Sequence, residues 1–186
     1  MSVKAYCETI LKELQAILSK VEEHEAEGLA EAMLDAKRIF LAGAGRSGFA
    51  VRAFAMRLMH MGFSVYVVGE TVTPAIRQGD LLFVGSGSGS TGSLVMMAEK
   101  AKDIGAKIAL VTIQPDSPIG RLADEVVRIP APSPKVKEDT GFSSIQPMGS
   151  LFEQAQLLFY DAVILELMQK SGKTSDVMFG LHANLE

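Results

Sequence analysis

The sequence has one cysteine, Cys7, and no tryptophan. A lone cysteine excludes an internal disulfide, and with ten methionines beside it the chain suits a reducing compartment, so a cytoplasmic location is expected. Cys7 has no histidine near it in sequence and reads as inert. Long apolar runs are missing too. The segment 108–113 is among the longest and falls far short of the ~20 residues a helix needs to cross a bilayer. The opening MSVKAYCETILKELQ spaces its charges through an amphipathic pattern, which is not the pattern of a signal peptide. Neither sign of charge dominates: 18 basic and 22 acidic residues are interspersed, for a net charge of −4. That balance offers neither a basic stripe for nucleic acid nor a polybasic flank for a membrane surface. Histidines, cysteines and carboxylates show no metal-binding spacing, so no metal and no other cofactor is expected.

What is present points to one compact unit. With 186 residues and 48% hydrophobic content, the chain can bury a substantial core but not two. Ile10, Leu14, Ile17, Leu18 and Val21 recur at helical spacing, and a second helix is expected over 27–36. The period then changes. Short runs rich in β-branched residues, 38–42, 64–68, 80–85, 107–112 and 125–129, alternate with helical stretches at 47–61, 91–104, 117–123 and 150–170. Strands buried on both faces and separated by helices predict an α/β fold, with about five parallel strands between two helical layers. The polar, proline-bearing stretch 130–144 reads as a surface loop. The expected organisation is N-terminal helices at 1–36, an α/β core at 37–170 and a tail at 171–186. That tail keeps Val177, Met178, Phe179 and Leu181, so it is expected to reach a neighbouring subunit, and together with the apolar stripe of the first helix it predicts a homo-oligomer.

Ligands of open parallel sheets bind at the carboxyl ends of the strands, and two of those ends carry unusual sequence. After the first strand comes AGAGRSG, 42–48; after the third comes GSGSGST, 85–91, running straight into a helix. The first matches the G-x-G-x-x-G of dinucleotide sites. The acidic residue that such sites need about 20 positions on is poorly represented, however, by Glu70. The second alternates glycines with Ser86, Ser88, Ser90 and Thr91. Glycines let several N–H groups converge, and the following helix adds its positive end, a geometry that binds phosphate without lysine. A flexible Gly/Ser connector is the competing reading, but such linkers are rarely wedged between a buried strand and an amphipathic helix.

These loops carry a family resemblance. A first-strand GxGxS, here 43–47, paired with a later S-x-S-G-x-T, here 86–91, resembles the SIS (sugar isomerase) domain. The family commonly has glutamate where Ser90 stands. Within SIS domains the chain is similar nearly end to end to the 6-phospho-3-hexuloisomerases. The segments RLMHMGF (57–63), VVGETVTPAI (67–76), IQPMGSLFEQ (145–154) and HANLE (182–186) carry that similarity. The resemblance implies a three-layer αβα SIS domain that interconverts D-arabino-hex-3-ulose 6-phosphate and D-fructose 6-phosphate through an enediol. It also implies phosphate binding by the hydroxyls of Ser47, Ser86, Ser88 and Thr91, and Gly45, Arg46 and Gly87 of the same two loops are expected to join them. Glu153 is the expected base, although Ser150-x-x-Glu153 equally reads as a helix capping box. His182 and His60 are expected to shuttle or polarise at the oxygens, His182 from a tail crossing to a partner; His60 could otherwise simply cap its helix. Arg46 could instead be a solvent-facing loop residue. The implied partners are a sugar phosphate, further copies of this chain (a dimer or tetramer with sites at subunit contacts) and, functionally, a hexulose-phosphate synthase. The remaining alternatives are isomerisation of arabinose 5-phosphate or sedoheptulose 7-phosphate, a non-catalytic sugar-phosphate sensor and a dinucleotide-dependent oxidoreductase.

Overall fold

The computed structural model describes residues 2–136 and 139–185. Two helices, α1 (Val3–Leu18) and α2 (Glu23–Asp35), precede an alternation of β1 (Ile39–Gly43), α3 (Gly45–His60), β2 (Val65–Val67), β3 (Leu81–Gly85), α4 (Gly92–Ile104), β4 (Lys107–Thr112) and β5 (Glu125–Arg128). The long α5 (Ser150–Ser171) and the short α6 (Ser175–Phe179) close the described chain. All strand pairs are parallel, in the order β2-β1-β3-β4-β5.

Successive strand residues point to opposite faces, and both faces are covered. Ile39, Leu41, Leu81, Phe83, Ala109 and Val111 pack under α1, α2, α3 and α5; Phe40, Leu82, Val84, Ile108 and Leu110 pack under α4. This is the three-layer sandwich expected. On the first face Tyr160 of α5 stacks on Phe54 of α3 at 4.7 Å and meets Phe83 of β3 edge-on at 5.4 Å. Each such pair adds about 0.5–1.5 kcal/mol to simple burial. The trio fixes α3 and α5 against the central strand just below the ends where the glycine loops emerge.

Two expectations need correction. Residues 117–123 form consecutive turns rather than a helix. Arg121 and Ala123 N–H do reach back four residues, to Ser117 O and Ile119 O, but Leu122 N–H turns to Ile119 O and Asp124 N–H is drawn to Ile108 O as β5 begins, so the i→i−4 pattern ends within about one turn. The apolar stripe of α1 is used within the chain: Leu14 and Ile17 are buried, with Ile10, Leu18 and Val21 packed beside them. The stripe therefore gives no argument for a partner copy. Within the tail, residues 175–179 are helical, with Thr174 Oγ1 accepting from Val177 N–H at the cap.

Asp80 ties the starts of β1 and β3. It is 2% exposed and receives Arg38 Nη2 at 2.6 Å, Arg38 Nε at 3.0 Å and the Arg77 N–H at 2.7 Å. Burial, the largest single influence, pushes its carboxyl up, but the Arg38 hydrogen bonds, the Arg77 N–H and the two guanidinium charges outweigh it and hold it below 3.8. A depressed folded value means the group stabilises the fold above pH 4 and loses that contribution as acid titrates it through its folded value. Urea unfolding should therefore show stability falling below pH 4 more steeply in the native protein than in Asp80→Asn, which is already weaker at pH 7.

Candidate active site

β1 and β3 are neighbours in the sheet, so their carboxyl-end loops lie side by side. The first loop is short because Gly48 and Gly43 must touch: a Cβ on Gly48 would sit 2.7 Å from Gly43 O. The G-x-G-x-x-G spacing thus serves close helix–strand packing. Around these loops α3, α4 and α5 all begin, at Gly45, Gly92 and Ser150. Each helix start leaves its first N–H groups without intrahelical acceptors and presents the positive end of its dipole. Three such ends around one depression give it a positive electrostatic bias.

That depression is a pocket of about 230 Å³. Its lining brings together Gly45, Arg46, Ser47, Ser86, Gly87, Ser88 and Thr91 from the two loops with Glu153 from α5. The wall opposite comes from Ser133, Pro134 and Lys135, with Met148, Gly149 and Phe152 at the start of α5. The 133–135 part of that wall belongs to the stretch expected to be a surface loop. It follows the carboxyl end of β5, the position that should have drawn attention.

The capping box is not formed. Gly149 is the N-cap of α5, no side chain caps the helix, and Ser150 is its first helical residue. This frees the Glu153 carboxylate for the pocket. Its Oε2 lies 3.2 Å from Arg46 Nε in an ion pair but is buried without a hydrogen bond among the described residues. Arg46 Nη1 also reaches Ser150 Oγ at 3.3 Å, so in this structure the guanidinium leans on the α5 start. With its side chain 61% exposed, Arg46 contributes little to stability through this pair, at most about 1 kcal/mol, and is free to move. Met148, at φ 59°, is the one non-glycine with positive φ among the described residues, and it stands immediately before this helix start.

His60 and His182 lie together but elsewhere. Their rings stack at 5.3 Å in a second depression that also involves Arg57, Asp161 and Phe179. Thirteen residues of α3 separate His60 from Ser47, about 20 Å at 1.5 Å per residue. Neither histidine lines the loop pocket of its own chain. His60 is buried, and that burial, then the Arg57 and His182 charges, pushes its ring below the usual value. Arg57 Nη1 stands 3.3 Å from His60 Nδ1, so a neutral ring accepts there. The remaining candidates are simpler. Glu70 is held by Arg52 at 2.6 Å and is not poised for a ribose, and His24 and Cys7 are exposed.

With this geometry, the comparisons decide the family. The SIS domain model matches residues 32–158, the region that contains both loops and Glu153. The chain belongs to the SIS domain family. A protein of Bacillus subtilis (strain 168) named 3-hexulose-6-phosphate isomerase is 51% identical over 186 residues, 100% of both chains. Another of that name from Mycobacterium gastri is 47% identical over 169 residues, covering 90% of this chain and 83% of its own. A crystal structure of a Methanococcus jannaschii protein, from which a 3-hexulose-6-phosphate isomerase function was inferred, superposes with a TM-score of 0.84 at 34% identity. It covers 97% of this chain and 98% of its own. Among the described residues of this SIS domain, no helix is long and apolar enough to cross a membrane. Likewise, no group of three or more histidines, cysteines or carboxylates could hold a metal.

Proposed function

We propose that this SIS domain interconverts D-arabino-hex-3-ulose 6-phosphate and D-fructose 6-phosphate through a 2,3-enediol. The observation that carries the proposal is the junction of a phosphate-shaped cradle with an uncapped carboxylate, Glu153, in a single pocket. Full-length similarity to proteins named for this activity supports the choice of substrate.

The chemistry follows from the parts. The cradle of Gly45, Arg46, Ser47, Ser86, Gly87, Ser88 and Thr91 holds the phosphoryl group and thereby fixes how far the sugar carbons extend toward α5. Glu153 removes the proton from carbon 2 of the 3-ulose and returns it to carbon 3, while the oxygen-bound proton moves from O2 to O3. The negative charge that develops between the two oxygens needs hydrogen-bond donors around it. The 3-ulose cannot close a five-membered ring, because the oxygen required is phosphorylated. It arrives open-chain, and no ring-opening residue is needed in the forward direction.

The oxygen-side groups fall to a second copy of the chain. Phe49, Met56 and Met59 of α3, Leu158 and Leu165 of α5, and Phe179 of the tail leave a broad apolar face exposed. Such a face on a folded domain marks an interaction surface. A second copy seated there would bring its His182 and His60, which cannot reach their own pocket, to a neighbour's. On this reading residues 171–186 act between subunits, the protein is a dimer or tetramer of the kind described above, and it works in the cytoplasm. A hexulose-phosphate synthase would supply the substrate.

The direct test is formation of fructose 6-phosphate from the 3-ulose, with arabinose 5-phosphate and sedoheptulose 7-phosphate as comparators. Turnover of the 3-ulose should exceed both by more than 100-fold in kcat/KM. Preference for either comparator would contradict the proposal.

A further inference from the structure

The second loop could present either its carbonyls or its N–H groups to the pocket, and only the latter binds an anion. The structure decides between them from behind the loop. Thr112, the last residue of β4, is fully buried, and its Oγ1 donates to Gly87 O at 3.1 Å. The same Oγ1 accepts from Gln114 N–H at 3.1 Å, which leaves its proton for Gly87. Ile113 N–H reaches Gly87 O as well, at 3.0 Å, and Ile119 N–H takes Gly89 O at 3.1 Å. Two successive glycine carbonyls are therefore drawn back toward β4 and the turns that follow it. By contrast, the N–H groups of Gly87, Ser88 and Thr91 meet no acceptor among the described residues, and all three residues line the pocket.

Behind the loop there is no slack. Ser117 is 2% exposed and accepts from Gly120 N–H at 3.2 Å. Gly89, at φ 55°, lies so close that an added Cβ would sit 2.0 Å from Ser117 Oγ and 3.5 Å from Thr112 Oγ1. A loop held this way cannot easily turn a peptide over. Pre-set donors bind an anion without the cost of ordering them first.

We propose that Thr112 is a positioning residue for the phosphate: it touches no substrate, and its hydroxyl holds the Gly87–Ser88 peptide with its one N–H, that of Ser88, facing the anion. The inference rests on the pocket being the phosphate site, as in the proposed function, and the test keeps the two apart by using inorganic phosphate as a probe that needs no turnover. Thr112→Val keeps the shape and removes the hydroxyl; Thr112→Ser keeps the hydroxyl and removes the methyl. Calorimetry should show phosphate binding weakened about 10-fold in T112V and within about twofold of the native protein in T112S. For the 3-ulose phosphate, KM should rise with the phosphate Kd while kcat changes less than about threefold, because Glu153 belongs to another element. If T112V does not fold, Thr112→Cys takes its place, with a weaker donor and an expected loss of about threefold.

Phosphate affinity in folded T112V within twofold of the native value would overturn the proposal. So would a folded T112S as impaired as T112V, since methyl packing and not the hydroxyl would then matter. A native protein that binds no phosphate at millimolar concentration removes this inference and the proposed function together. One that binds phosphate but leaves the 3-ulose unchanged removes only the function.

Discussion

Glu153→Gln is expected to abolish isomerisation while leaving the sugar phosphate bound. A positioned base contributes typically 10²–10⁴-fold to such a proton transfer, and kcat should fall by about 10³-fold or more. The substitution keeps the size of the side chain and its place four residues into α5, and it removes no helix cap, because Gly149 holds that position and no side chain caps the helix. The loops that would hold the phosphate belong to β1–α3 and β3–α4, so the Kd for fructose 6-phosphate should stay within about threefold. A merely structural glutamate would give the opposite pattern: lower thermal stability with kcat per folded molecule largely kept. Turnover surviving in E153Q removes Glu153 as the base.

Truncation from Val177 onward is the second large effect. Within one chain the tail lies against α3 and α5 at their far ends, where His182 stacks on His60 and Lys173 Nζ meets Met61 O. None of this touches the loop pocket of the same chain. A tail serving only its own chain would therefore be dispensable for chemistry, and its loss would change stability alone. If instead His182 completes a neighbour's pocket, truncation should lower kcat by more than 100-fold. The far-UV circular dichroism should be nearly unchanged, because the sheet and α1 to α5 are intact. Sedimentation or light scattering on the same sample reports whether the assembly also falls apart. Unaltered turnover after this truncation would remove the shared site.

Much of this was legible in the sequence for identifiable reasons. Runs such as LLFVG and KIALVT are short, apolar on both faces and separated by helical stretches, so their strand character and parallel pairing follow from that pattern. The two loops were legible because a Gly-Ser alternation between a strand and a helix has few other uses. Residues 117–123 misled because the segment is cut short by tertiary contact that no local pattern reveals: Asp124 N–H is drawn to Ile108 O, and the chain enters β5 after about one turn. The capping box at Ser150 and Glu153 misled for a related reason: the Pro147–Met148–Gly149 turn shifts the helix start one residue earlier, so Ser150 enters the helix instead of capping it. Lys135 and Ser133 escaped notice because a polar, proline-bearing stretch looks the same whether it faces solvent or a pocket. The histidines were singled out by residue type. That 16 residues of rigid α3 hold His60 away from its own pocket is a geometric fact that only the fold supplies.

The measurement that bears most directly on the whole account is a crystal structure of E153Q with fructose 6-phosphate. The phosphoryl oxygens should lie about 3 Å from the hydroxyls of Ser47, Ser86, Ser88 and Thr91, with carbons 2 and 3 facing the residue-153 amide. A phosphoryl group bound anywhere else, with those four hydroxyls turned to water, would contradict it.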